Sequence, residues 1–103
     1  MSGHEPVREF ILQLSLIDRA AISGAMKDVE REGLQAARHL QGAIYEARAS
    51  GTMQNFRILF AAEGHHNQIL LALEAFSKKT QKTPPREIAL AESRLTDWHN
   101  RSG

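Results

Sequence analysis

Three short runs rich in apolar and aromatic residues, 43–49 (AIYEARA), 55–62 (NFRILFAA) and 68–76 (QILLALEAF), follow one another with only five residues between neighbours. A parallel crossover needs a dozen or more residues, so links this short exclude one. Each link, Ser50–Gln54 and Glu63–Asn67, contains a glycine and has a length typical of hairpin loops. The runs are therefore predicted to lie side by side as antiparallel strands of one sheet.

Helical patterns flank them. Pro6 opens a stretch in which Val7, Phe10, Ile11 and Leu14 recur at i, i+3, i+4 and i+7, a single apolar face. Ser15 and Asp18 have capping-box spacing, with Asp in place of the usual Glu, and start a second helix. Its inner face carries Ile22, Ala25, Met26 and Val29, and Gly33 is its natural stop. After the third run, Thr83-Pro84 reads as an N-cap followed by proline at the first helical position. Ile88, Ala91, Leu95 and Trp98 then share a face. The expected architecture is α+β: two N-terminal helices, an antiparallel sheet of three or more strands and a C-terminal helix, one domain over residues 1–103.

Composition narrows the chemistry. A chain of 103 residues supports one hydrophobic core. With no cysteine there is no disulfide, thiol catalysis or thiolate metal site. No basic segment followed by an apolar one opens the chain, and the longest apolar runs, such as Ile69–Leu73, fall far short of a membrane span. A cytoplasmic protein without membrane contact is expected. The net charge of +1 conceals an uneven distribution. Residues 1–37 hold six acidic and four basic side chains, whereas residues 38–86 hold seven basic and three acidic. A basic middle on a near-neutral chain points to a localised anion site, although a solvated surface has the same composition.

Strand alternation places Glu46 and Arg48 on one face of the first run, with Tyr45 and Ala47 on the other. In the second run Phe56, Ile58 and Phe60 share a face and Arg57 points away from it. Arg57 opposite Glu46 or Arg48 would form a charged floor; the plainer reading is an exposed cross-strand ion pair. Lys78, Lys79 and Lys82 precede a helix N-terminus, where clustered ammonium groups favour a phosphate, unless they are only a solvated turn. Glu46 is the candidate general base and Glu74 the reserve, since arginine and lysine are protonated at neutral pH. The five histidines lack ligand spacing, so no metal site is expected, while His39 or His66 is a candidate proton donor. Tyr45 and Phe76 are candidates for base stacking, but their parity favours core packing.

The tract Phe76–Ala91, FSKKTQKTPPREIALA, resembles the phage-derived, HigB-like branch of the RelE/ParE toxin superfamily, which reads F-x-K-K-T-x-K-T-P-x-x-E-I-x-x-A. Upstream, Pro6-Val-Arg-Glu-Phe10 is similar to that family's opening helix. Ile44-Tyr-Glu-Ala-Arg48 is similar to its L-Y-E-L-R strand, and Phe56-Arg-Ile-Leu-Phe60 to its Y-R-V-x-Y strand. The likeness is collinear over roughly residues 3–100. Two departures stand out. Family members usually begin with a strand ahead of the P-V-x-x-F helix, and this sequence starts almost at the helix. Where they commonly read L-H-G-F, this chain has Leu73-Glu74-Ala75-Phe76.

The resemblance implies a RelE-like fold and a ribosome-dependent mRNA endoribonuclease that needs neither metal nor cofactor. Cleavage through the 2′-hydroxyl would leave a 2′,3′-cyclic phosphate and a 5′-hydroxyl. The catalytic set would be Glu46, Arg48, Arg57 and Lys79, with Lys78, Lys82 and Glu74 binding RNA. Implied partners are the ribosome, mRNA and a helix-turn-helix antitoxin of the Xre type, with operator DNA reached only through that antitoxin. The alternative on the same fold is a non-catalytic protein, either a ParE-like gyrase inhibitor or an antitoxin-binding co-regulator. A standalone transcription regulator is disfavoured, because the chain shows no helix-turn-helix of its own.

Overall fold

A computed structural model describes residues 6–64, 69–78 and 82–102. Helices α1 (Pro6–Leu12) and α2 (Leu16–Glu32) come first, followed by a short 3₁₀ turn, Leu34–Ala36. Strands β1 (Arg38–Gln41), β2 (Ile44–Ser50), β3 (Asn55–Glu63) and β4 (Ile69–Lys78) form one sheet in chain order, and α3 (Pro85–Ser102) closes the chain. Every pairing is antiparallel, as the short links require. β1 adds an edge strand that the sequence pattern did not reveal. Its four residues, Arg-His-Leu-Gln, hold one apolar side chain, so no hydrophobic run marks it.

The helical hairpin forms as the sequence predicts, with one change in how it is capped. The Ser15 hydroxyl accepts from the Asp18 backbone N–H at 3.2 Å, capping α2. Asp18 does not complete a capping box. Its carboxylate is buried and accepts instead from the Thr52 backbone N–H at 2.9 Å and the Thr52 hydroxyl at 3.2 Å. A turn between β2 and β3 is thus tied to the first turn of α2. Gly33 ends the helix at φ 87°, a left-handed position that glycine adopts without steric cost.

Period-two alternation sorts the sheet into two faces, each with its own core. One face carries Ala47, Ala49, Phe56, Ile58, Phe60 and Ala75, packed against Ile22 and Val29 of α2, with Phe10 and Ile11 of α1 at the margin. The other carries Ile44, Leu59, Ala61 and Leu73, packed against Ala91 and Leu95 of α3. The sheet is therefore covered by α1 and α2 on one side and by α3 on the other. Tyr45 and Phe76 pack against these cores, as their parity suggested. Trp98, expected on the buried face of α3, is half-buried and meets the His99 ring edge-on at 5.5 Å.

Two details alter the expected positions. A bulge in β4 shifts the register, so Leu59 faces Glu74 while Phe60 faces Ala72. Glu74 therefore shares a face with Phe76 but not, as strict alternation would have it, with Ala72. Second, α3 begins at Pro85, one residue later than the Thr83-Pro84 signal implies. Thr83 is not a helix cap: it is buried, and its hydroxyl is used elsewhere. Among the described residues no helix is long and apolar enough to cross a membrane.

Candidate functional site

α3 covers only part of its face of the sheet. Beyond its end that face turns from apolar to charged, because Glu46 and Arg48 follow Ile44 at two-residue intervals along β2. Register then sets the neighbours. Arg38 of β1 stands opposite Glu46, and Arg57 of β3 stands directly opposite Arg48. Three arginines from three adjacent strands thus share one face of the sheet with a single carboxylate.

That carboxylate is the hub. The Glu46 side chain is wholly buried. Its Oε1 accepts from Arg48 Nε at 3.1 Å and lies 3.8 Å from Arg57 Nε. Its Oε2 accepts from the Thr83 hydroxyl. A buried anion persists only when paired and hydrogen-bonded, and here both oxygens are engaged. Arg48, the outermost partner, keeps 42% of its side chain exposed.

Arg57 lies deeper. It is 6% exposed; one terminal nitrogen donates to the Phe56 carbonyl at 3.3 Å, while Nε is buried without a hydrogen bond. Burial pushes its pKa below the ordinary arginine value, Arg48 adds to the shift and Glu46 opposes it. Holding two arginines face to face is unfavourable for folding, since like charges directly opposite repel. A buried cation with an unused donor beside an exposed one is what an incoming anion would relieve.

A cleft of about 290 Å³ opens beside this group, lined by Gln35, Ala36, Ala37, Arg38, Glu46 and Arg48. Arg38 and Gln35 carry no signal in the sequence pattern. They lie in the 3₁₀ turn and the edge strand, and only the β1–β2 register shows that Arg38 belongs to the charged face. Thr83 has the local pattern of a cap, and its place beside Glu46 follows from tertiary packing.

The remaining candidates are spread more widely. Glu74 accepts from Arg94 Nη1 at 3.0 Å and from the Ala75 backbone N–H at 3.1 Å, so α3 supplies it with a cationic partner. Glu87, in the first turn of α3, has its pKa raised to about 7 by burial and by its hydrogen bond to Glu74. Lys78 ends β4 opposite Asn55, and Lys82 is exposed one residue before Thr83. Lys79 lies outside the described residues, as do His4, His65 and His66. His39 pairs with Tyr45 across β1 and β2, which places it on the α1–α2 side, away from Glu46; its Nε2 meets the Gly42 carbonyl at 2.8 Å. Of the two candidate proton donors, His39 is therefore not in the site, and His66 lies outside the described residues. His99 pairs with Glu63 at 3.1 Å. Among the described residues no group of three or more His, Asp or Glu side chains is placed to hold a metal ion.

Two helices on one face of a four-stranded antiparallel sheet, a third helix on the other and a charged patch beside it define an α+β protein of the RelE-like kind. The chain belongs to the family described as Phage derived protein Gp49-like (DUF891), a RelE-like toxin family that it matches over residues 9–96. No curated protein and no solved structure matches it.

Proposed function

We propose that the chain is the toxin of a toxin–antitoxin pair of the HigB-like branch, an endoribonuclease that cuts mRNA on the ribosome and needs no metal ion. The observation that carries this reading is the arginine-ringed carboxylate: Glu46 held by Arg48, Arg57 and Thr83 at the edge of an open cleft. Cations preorganised where phosphate charge develops provide the main stabilisation of a pentacoordinate transition state. When the scissile phosphate draws Arg48 outward, Oε1 of Glu46 is freed to take the 2′-hydroxyl proton. The 2′-oxygen bonds to phosphorus, the bond to the 5′-oxygen breaks, and the leaving oxygen takes a proton from water. Lys78, Lys79 and Lys82 lead into Thr83 and hold the message. A helix-turn-helix antitoxin of the Xre type neutralises the toxin and carries any contact with operator DNA.

One observation favours a second reading, a non-catalytic toxin that works by binding alone. Both oxygens of Glu46 are engaged, and His39 lies on the other face. Purified chain incubated with message, with and without ribosomes, separates the two. The nuclease reading expects cuts only on ribosome-bound message, with 2′,3′-cyclic phosphate and 5′-hydroxyl ends. Intact message alongside arrested growth supports the binding reading, and 5′-phosphate ends overturn the proposed chemistry.

A further inference from the structure

We propose that the cleft between the 3₁₀ turn and β1–β2 is a nucleotide subsite, in which Arg38 and Arg48 together grip one phosphate of the RNA strand. The proposal deepens the RNA-directed reading and rests on it for the kind of nucleic acid.

Charge is the first argument. Arg38, Arg48 and Arg57 share one face of the sheet with Glu46, whose carboxylate is paired with Arg48 and Arg57, so this patch holds three positive charges against one negative. Arg57 is buried behind the surface, so the excess is presented by the other two, both of which line the cleft. Arg38 is exposed and has no hydrogen-bond or ion-pair partner among the described residues. Arg48 is held by one bond, from Nε to Glu46, which orients the guanidinium and leaves its terminal nitrogens as donors. Two arginines lining one cleft match the oxygens of a phosphate better than lysines would, because each guanidinium presents a planar fork.

Shape is the second. At about 290 Å³ the cleft exceeds what a phosphate alone would fill. Ala36 and Ala37 line it with nothing larger than a methyl group, leaving room for a sugar and base beside the anion. The Gln35 side-chain amide donates to the Glu32 carbonyl at 2.9 Å, which fixes that side chain at the cleft and leaves its own carbonyl oxygen as an acceptor for a base amino group. The lining thus combines cationic side chains with neutral ones. A 3′-nucleotide likewise combines an anionic group with neutral ones.

The test uses the full chain with labelled arginine side chains, followed by NMR as adenosine 3′-monophosphate, inorganic phosphate or adenosine is added. We expect saturable shifts of the Arg38 and Arg48 Nε–H signals with the nucleotide, at least several-fold weaker binding of phosphate and no response to adenosine. Arg38→Gln should weaken nucleotide binding about tenfold without altering the rest of the spectrum, since the side chain is exposed and has no partner among the described residues. Equal affinity for nucleotide and phosphate overturns the nucleotide subsite, as does unchanged binding by Arg38→Gln. Binding is read without cleavage, so the two proposals fail separately. Shifts in a chain that never cuts message sustain the cleft and defeat the nuclease. Normal cutting by Arg38→Gln together with silent arginine signals defeats the cleft alone.

Discussion

Thr83 donates its hydroxyl to Oε2 of Glu46 across 37 positions of the chain, and by that bond the approach to α3 becomes part of the β2 site. Glu46 cannot turn toward α3 while the bond holds, so its other oxygen stays on the side of Arg48 and Arg57.

Thr83→Val keeps the shape and removes the donor. The variant should lose about 2–3 kcal/mol of stability, because a buried charged acceptor left without its partner bears the full desolvation penalty. Thr83→Ser should recover most of it. Urea unfolding of the three proteins checks this, and an unchanged midpoint for Thr83→Val would show that Glu46 does not depend on the bond.

A second pair of substitutions separates packing from backbone freedom. A Cβ at Gly51 would lie 2.5 Å from Asp18 Oδ1 and 2.6 Å from a Phe56 ring carbon, inside the joint between α2 and the β2–β3 turn. Gly51→Ala should therefore destabilise by about 1–3 kcal/mol, as overpacking does. At Gly24, mid-way along α2, nothing lies within 4 Å of an added Cβ. Gly24→Ala should stabilise by about 0.4–1 kcal/mol, through the unfolded chain and helix propensity. Thermal unfolding should move the two melting temperatures in opposite directions.

Much of this architecture was legible because it is periodic. Links too short for a crossover fixed the antiparallel order of β2, β3 and β4; parity set Glu46 and Arg48 on one face of β2 and turned Arg57 away from the apolar face of β3, and the register brings the two together. What was not legible depends on contacts distant in sequence. Arg38 lies in an edge strand with a single apolar residue, Thr83 resembles a cap in every local respect, and the β4 bulge moves Ala72 off the face of Glu74 without any sequence mark. Asp18 was legible as part of a cap but not as the anchor of Thr52.

Glu87 gives the chain a pH dependence of definite sign. Its pKa is raised to about 7 by burial and by Glu74, with Arg86 and Arg94 opposing the shift. The folded state therefore holds a proton that the unfolded chain releases near the ordinary glutamate pKa of about 4.3. The contribution to stability is fully present below that value and is lost as pH rises through about 7. Glu87→Gln mimics the protonated acid, so the stability difference between variant and parent should widen in the variant's favour from pH 5 to pH 8. Parallel stability curves would show that Glu74 and Glu87 do not share a proton.

Arg57 should divide stability from activity. Its guanidinium is buried, its Nε lacks a hydrogen bond and it faces another arginine, so its charge opposes folding. Removing it leaves Glu46 still paired with Arg48 and Thr83. Arg57→Gln should accordingly be as stable as the parent or slightly more so. On the nuclease reading it loses a preorganised donor at the phosphate, typically worth about 3–4 kcal/mol or a 10²–10³-fold drop in cleavage. Glu46→Ala should behave in the opposite sense, because it leaves Arg48 and Arg57 opposed with no anion between them. Breaking a buried pair in this way costs about 3–5 kcal/mol of stability. Growth arrest at matched expression, read beside the unfolding midpoint of each variant, decides the matter. A folded Arg57→Gln chain that still arrests growth fully would make Arg57 incidental to function, and an unfolded one would make it a structural residue.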